Sequence, residues 1–217
     1  MRIAILLVFS AAFALAADGY QRTVFENEFV RVTDTQLPPG GHEEKHSHLR
    51  GVTIPLAPYD NETVTFPDET RAKRHTDFAE VRWAEPVTHE ARNTGSTLQH
   101  IIRIELLKEP PTQPAANRND PLDSIVAAKA TEHVLFENNY VRVIEERVPA
   151  GAIEPLHRHQ TSVLVPLSDA DLEITDQGKQ PISRKIKFGD AGWREPAVHS
   201  VKNVGSTELR NIRVELK

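Results

Sequence analysis

The chain repeats itself. Phe25-Glu26-Asn27-Glu28-Phe29-Val30-Arg31-Val32 returns as Phe136-Glu137-Asn138-Asn139-Tyr140-Val141-Arg142-Val143, 111 positions later. Pro38-Pro39-Gly40 returns as Pro149-Ala150-Gly151, Trp83-Ala84-Glu85-Pro86 as Trp193-Arg194-Glu195-Pro196, and Ile102-Arg103-Ile104-Glu105-Leu106 as Ile212-Arg213-Val214-Glu215-Leu216. The offset slips from 111 to 110 along the way, so the second copy is one residue shorter. A near-constant offset means that one supersecondary unit of about 85 residues is built twice.

Each copy reads as β structure. Val30 and Val32 alternate with arginine, as do Val141 and Val143; Leu172-Glu173-Ile174-Thr175 alternates up to an Asp176-Gln177-Gly178 turn; Ile212, Val214 and Leu216 share a face opposite Arg213 and Glu215. Short alternating strands separated by turns predict an all-β antiparallel sandwich or barrel. In copy one, Val64 and Phe66 run into a Pro67-Asp68 turn, and the charged Arg71-Ala72-Lys73-Arg74-His75 stretch reads as a loop at a barrel mouth. Between the copies, Glu109-Pro110-Pro111-Thr112-Gln113-Pro114 is a linker by composition. Asp120-Pro121-Leu122 then suits the start of one short helix running to Ala130, capped by Asp120. The expected organisation is a first barrel over 20–108, a linker over 109–132 and a second barrel over 133–217.

The first sixteen residues read as an export signal. Arg2 precedes an apolar run from Ile3 to Ala16 that ends in the small-x-small site Ala14-Leu15-Ala16, and the run is too short to span a bilayer. The expected location is therefore periplasmic or secreted, with no membrane span once the signal is removed. Cysteine is absent, which excludes disulfides, thiolate ligands and a catalytic thiol. A formal net charge of -5 without a basic stretch argues against a nucleic-acid partner.

Ten histidines are the compositional oddity, and six of them follow the repeat: His46, His48 and His89 in copy one, His157, His159 and His199 in copy two. Two histidines at i and i+2 on a strand point to one face. The third follows 41 residues later in copy one and 40 in copy two, far enough for a strand to return opposite the pair in a closed sheet. Buried imidazoles without partners are costly, and their recurrence in pairs argues for metal ligation over structural burial. His42, His75, His100 and His133 have no counterparts and read as surface residues.

This pattern resembles the cupin superfamily. Its first motif runs from a glycine through five residues to His-x-His, met by Gly40 to His48 and by Gly151 to His159; its second ends in His-x-x-x-Asn, met by His89/Asn93 and His199/Asn203. Gly189-Asp190 matches the glycine that opens the second motif, where copy one has Ala79 instead. The resemblance covers nearly all of the chain after the signal and implies a tandem bicupin of two jelly-roll β-barrels, each with a metal inside. Cupins often add a glutamate three or four residues after His-x-His. Those positions hold Val52 or Thr53 and Val163 or Leu164, leaving three neutral imidazoles per site and weakening any link to the quercetinase or oxalate-enzyme branches.

Further paired residues are read conservatively. Glu43 and Glu154 precede the first site histidine by three positions; they could swing in as ligands or proton carriers, but the favoured reading is a solvated loop-end carboxylate. Arg31/Arg142 and Arg103/Arg213 would bind an anionic substrate if they faced the barrel, but period favours the outward face, because their apolar neighbours take the other one. The functional expectation is an exported metal-binding protein with a divalent ion (Fe, Mn, Zn or Ni) and a small-molecule substrate or ligand. By resemblance, a three-histidine dioxygenase or related oxidoreductase leads. A non-catalytic small-ligand or metal binder and a zinc-dependent hydrolase or hydratase are the alternatives, with Gly189-Asp190 giving the second copy a slight preference as the active one. A homo-oligomer is compatible with the sequence.

Overall fold

A computed structural model of the chain describes residues 19–108 and 119–217. The expected export signal and most of the proline-rich linker lie outside the described residues. Unit one contains β1 (Tyr20–Glu26), β2 (Val30–Leu37), β3 (His42–His48), β4 (Gly51–Pro55), β5 (Tyr59–Phe66), β6 (Thr70–Thr76), β7 (Arg82–Ala84), β8 (Val87–Asn93) and β9 (Gln99–Leu106). A short helix, α1 (Ser124–Ala127), precedes unit two. Unit two contains β10 (Glu132–Glu137), β11 (Val141–Val148), β12 (Ile153–His159), β13 (Ser162–Pro166), β14 (Ala170–Asp176), β15 (Ile182–Ile186), β16 (Gly192–Arg194), β17 (Ala197–Asn203) and β18 (Leu209–Leu216).

The two units share one topology. Unit one folds as sheets β1-β2-β9-β4-β7 and β3-β8-β5-β6, and unit two as β10-β11-β18-β13-β16 and β12-β17-β14-β15, with all neighbours antiparallel. These are two tandem jelly rolls. Among the described residues no helix is long and apolar enough to cross a membrane.

The largest apolar cluster joins the units instead of filling either one. Val30, Val32, Ile102 and Ile104 of unit one pack in a single cluster with Val141, Val143, Ile212 and Val214 of unit two. The long sheets of the two units therefore meet through the aliphatic stripe that alternation makes visible in the sequence. Their other faces, which look into the barrels, carry the polar residues. This corrects the outward reading of the arginines: Arg142 is 1% exposed and Arg213 6%, and both lie inside unit two. Arg103 is half-buried beside Glu105, and Arg31 stays the most open of the four. Period identified two faces correctly; the face taken as a barrel interior was the contact between barrels.

Several repeated residues hold turns. Asn27 Oδ1 accepts the N–H groups of Phe29 and Val30, each at 2.9 Å, and Asn138 does the same for Tyr140 and Val141. Asn93 and Asn203, the last residues of the second motif, are fully buried and donate to backbone carbonyls on both sides, Asn93 to Leu37 and Thr97, Asn203 to Val148 and Thr207. Gly189 has φ 75°, and Ala79 holds the equivalent left-handed position at φ 60°. The copy-one departure from glycine thus keeps the turn at some steric cost.

Two expectations are corrected. Thr70–Thr76 is a strand, since every residue from Thr70 to Thr76 pairs with β5; exposure on the outer edge explains its charge. The helix covers only Ser124–Ala127, with Asp123 in place of Asp120 as its cap. Leu122 is drawn instead into a backbone bond with Arg158, and β10 begins at Glu132, inside the expected linker.

Candidate metal centres

In each unit the register brings three imidazoles together. His157 on β12 pairs directly with His199 on β17, and His46 on β3 with His89 on β8. The i+2 partners His159 and His48 share the face of the first histidine. A register shift just before each His-x-His, between Glu154 and His157 and between Glu43 and His46, sets the strand ahead of the pair. The resulting groups, His46/His48/His89 and His157/His159/His199, each have ligand atoms within 4.8 Å of one another. All six sequence-predicted histidines therefore converge, three by three.

Hydrogen bonds prepare the nitrogens. His157 Nδ1 lies 2.7 Å from the Pro155 carbonyl and His46 Nδ1 2.6 Å from that of Glu44. His159 Nδ1 lies 3.0 Å from Glu215 Oε1, and His48 Nδ1 2.7 Å from Glu105 Oε1. A carbonyl or carboxylate at Nδ1 keeps the proton there and leaves Nε2 free as a donor to a cation. The Nε2 atoms do face each other, His157 to His159 at 3.1 Å and His46 to His48 at 2.9 Å.

In unit two, carboxylates that the sequence reading did not place there stand beside the imidazoles. Glu132 Oε1 lies 3.0 Å from His159 Nε2 and 3.7 Å from His157 Nε2. Glu154 Oε2 lies 3.8 Å from His157 Nε2, and Glu132, Glu154 and His157 form a third candidate ligand group. Glu154 is fully buried, so it is not the solvated loop-end residue expected; Thr131 Oγ1 donates to its Oε1. Glu154 Oε2 has no hydrogen-bond partner, and Glu132, although close to His159, has no hydrogen bond of good geometry on either oxygen. Buried, under-satisfied carboxylate oxygens converging on imidazole Nε2 atoms fit a bound cation.

The protonation pattern follows from burial and mutual charge. Burial, then the charges of Glu146 and Glu132, push the Glu154 carboxyl up to about 9. Burial opposes ionisation of Glu132, but His159 and His157 outweigh it and bring that carboxyl down to about 2. Burial and Arg213 disfavour the charged form of His159, yet Glu132 and Glu215 prevail and raise its pKa above the ordinary imidazole value. Burial and neighbouring imidazoles lower His157 to about 4 and His199 to about 3.

Unit one is more open and less acidic. Its three histidines are half-buried, and burial with the charges of His46 and His48 lowers His89 to about 4. A cavity of about 420 Å³ exposes His46 and His48 together with Gln21, Arg31, Thr33 and Glu105. Gln21 occupies the place of Glu132, since Gln21 pairs with Thr35 as Glu132 pairs with Glu146. In unit two, His157 and His159 are shut off from solvent, and a cavity of about 210 Å³ reaches His199 from the other side. Arg184, Arg194 and buried Arg213 line it with aliphatic side chains such as Leu172 and Ile174. Of the four unpaired histidines, His42, His75 and His133 are exposed; His100 is not a surface residue, because its side chain is half-buried 2.9 Å from Asp34.

Glu132 was missed by sequence reasoning. Extending the repeat four residues upstream of Phe25 and Phe136 would have aligned it with Gln21, but a glutamine-to-glutamate difference before the first recognisable motif looks like surface variation.

No family model and no curated protein matches the sequence. Solved structures do match. AerE from Microcystis aeruginosa is 12% identical, covers 91% of this chain and 97% of its own, and superposes with a TM-score of 0.61. The oxalate decarboxylase of Lactobacillus farciminis is 13% identical over 92% of this chain and 80% of its own, TM-score 0.59. The chain has the bicupin fold. A Bacillus subtilis oxalate decarboxylase is similar at the same level, 11% identical over 91% and 72% of the two chains, TM-score 0.60. At these identities the likeness is one of bicupin fold, and the carboxylates beside the unit-two imidazoles, Glu132 and Glu154, lie off the positions that follow His-x-His.

Proposed function

We propose that this bicupin is a metal-dependent oxidoreductase of the dioxygenase type acting on a small organic anion, with unit two as its reaction site and unit one as a second metal site. One observation carries the reading: three imidazoles converge in a buried pocket, the Glu132 carboxylate lies 3.0 Å from one of them, and a cavity reaches His199. Neutral nitrogen and hard oxygen donors with uncovered positions suit Fe, Mn or Zn, and histidine–carboxylate sets with open positions are those of oxygen-using iron sites. Mn(II) centres in the similar Bacillus subtilis oxalate decarboxylase agree with a divalent ion here. When bound, that ion would supply Lewis acidity and, if redox-active, electron transfer to substrate.

The chain's own residues divide the remaining work. His157, His159, His199 and Glu132 hold the ion. Glu154 keeps a proton at neutral pH and, with Oε2 turned toward the site, can deliver or accept one there. Arg213, with Arg184 and Arg194 at the cavity, attracts and orients an anionic group. Leu172 and Ile174 limit the substrate to a small molecule and keep water low. We also retain export as a reading, supported by Arg2, the apolar run and Ala14-Leu15-Ala16.

The test is metal analysis of the natively produced protein, followed by oxygen uptake with a panel of small carboxylates. Iron or manganese with substrate-dependent oxygen consumption, lost in Glu132→Gln, is expected. Zinc with turnover but no oxygen use would replace this reading with metal-assisted hydration. Mass measurement of the exported protein with Met1 still present would remove the signal reading.

A further inference from the structure

A chain of buried ion pairs runs from the inter-unit segment to a candidate metal ligand. Asp123, the cap of α1, is 4% exposed and accepts from Arg142 Nη1 on both oxygens at 2.9 Å. Arg142, 1% exposed, donates from Nε to Glu215 Oε2 at 2.7 Å. The other oxygen of Glu215 takes His159 Nδ1 at 3.0 Å and the Gln160 N–H at 3.2 Å. The same segment is fastened twice more, by Arg158 N–H to the Leu122 carbonyl at 2.6 Å and by Thr131 to Glu154. Unit one has only the inner half of this chain. Glu105 holds His48, but Arg31 is largely open, bonds the exposed Glu26 at 2.6 Å and stays 3.7 Å from Glu105.

We infer that Asp123 is a positioning residue for the unit-two metal: it fixes Arg142, which fixes Glu215, which sets the ring orientation and Nε2 basicity of His159. The inference rests on the metal reading of unit two. It follows from the cost of burying Arg142 next to a single carboxylate. With Asp123 present the guanidinium is matched on two sides and cannot swing; without it, Arg142 would pull Glu215 away from His159 or draw in water. Outer carboxylates that orient a ligating histidine change metal affinity by about 10- to 100-fold. The segment between the barrels is thereby part of one site, and the two sites of the chain differ in rigidity.

The test uses the full chain with His46→Ala and His48→Ala, so that only unit two binds, and Co(II) as probe. Asp123→Ser keeps a capping oxygen and removes the charge. It is expected to weaken Co(II) by about 10- to 100-fold and to shift the Co(II) visible spectrum, while Asp123→Glu restores both toward the parent. Unchanged affinity and spectrum in Asp123→Ser would overturn the inference. Should that variant not fold, the unsubstituted protein carries the test by NMR: the His159 Nδ1 proton should exchange far more slowly than that of His48, and equal exchange would overturn it. If His157→Ala with His159→Ala leaves Co(II) uptake of the full chain unchanged, the metal reading itself fails, which the Asp123 variants alone would not indicate.

Discussion

Trp83 lies face to face with Tyr140, their ring centroids 5.3 Å apart and their planes 6° from parallel, and the pair joins unit one to unit two. Phe29 and Trp193 make the reciprocal stack at 6.0 Å and 8°. Phe29 and Tyr140 are repeat equivalents, as are Trp83 and Trp193, so each unit lends one partner to each stack. The units thus face each other through equivalent surfaces, as a symmetric dimer would. Arg50 of unit one also donates to the Tyr140 hydroxyl. Tyr140→Ala should destabilise the whole protein by about 2–3 kcal/mol, given a half-buried aromatic and its stack. The check is a shift in denaturant midpoint for a single transition. Two separate transitions, only one of them shifted, would show that the interface does not couple the units.

Unit two expressed alone exposes Val141, Val143, Val163, Ile212 and Val214, which the full chain buries. Residues 119–217 on their own should therefore dimerise through this face or aggregate, as read by sedimentation. A stable soluble monomer would mean that the apolar contact matters little.

Glu132 and Gln21 set the two metal sites apart. Glu132→Gln should lower metal affinity of unit two by about 100-fold or more, since it removes a charged ligand and leaves buried oxygen and nitrogen in its place. Gln21→Glu should raise the affinity of unit one. The check is competition against a chelator of known strength, each variant measured with the opposite site's histidines removed. A strengthened unit two in Glu132→Gln would assign that carboxylate a purely structural role.

What could be read without coordinates was the pattern that repeats. The offset placed both units, and strand period placed His46 with His48 and His157 with His159, because side-chain direction is fixed by local geometry. The direct pairing of His157 with His199 needed only the idea that a later strand returns opposite. The face of Arg142 and Arg213 was misread because period separates two faces without saying which neighbour covers the apolar one. Here a second copy of the unit covers it. Glu132 and Asp123 were out of reach for another reason: they lie where the copies stop resembling each other, and their roles depend on a segment docking back onto unit two.

Paired substitution counts the sites. His157→Ala with His159→Ala, and separately His46→Ala with His48→Ala, should each remove about half of the bound metal. A chelator should strip unit one first, because its histidines are half-buried and lack a nearby Glu132. Metal content unchanged in both double variants would make the six histidines structural.

The metal-free protein should be most stable at intermediate pH, with each limb set by different groups. His89, His157 and His199 have folded values of about 4, 4 and 3 against an ordinary 6.5. Between those values the unfolded chain binds more protons than the folded one, so their contribution is complete above about pH 6.5 and is lost as pH falls toward 4. Glu154 works in the opposite direction. Its folded value of about 9 exceeds the ordinary 4.5, so the folded chain holds a proton the unfolded chain has released, and stability falls as pH rises toward 9. A bound dication reverses the alkaline limb, because it favours ionised Glu154. Metal binding at unit two near pH 7 should therefore release the Glu154 proton, whereas the already neutral His157 and His199 release none. Calorimetry in two buffers of different ionisation enthalpy gives the count, and denaturant midpoints with and without chelator at pH 6, 7.5 and 9 give the limbs. Binding without proton release, or a metal-free alkaline limb that stays flat in wild type and is unchanged by Glu154→Gln, would show that Glu154 is ionised in the folded protein.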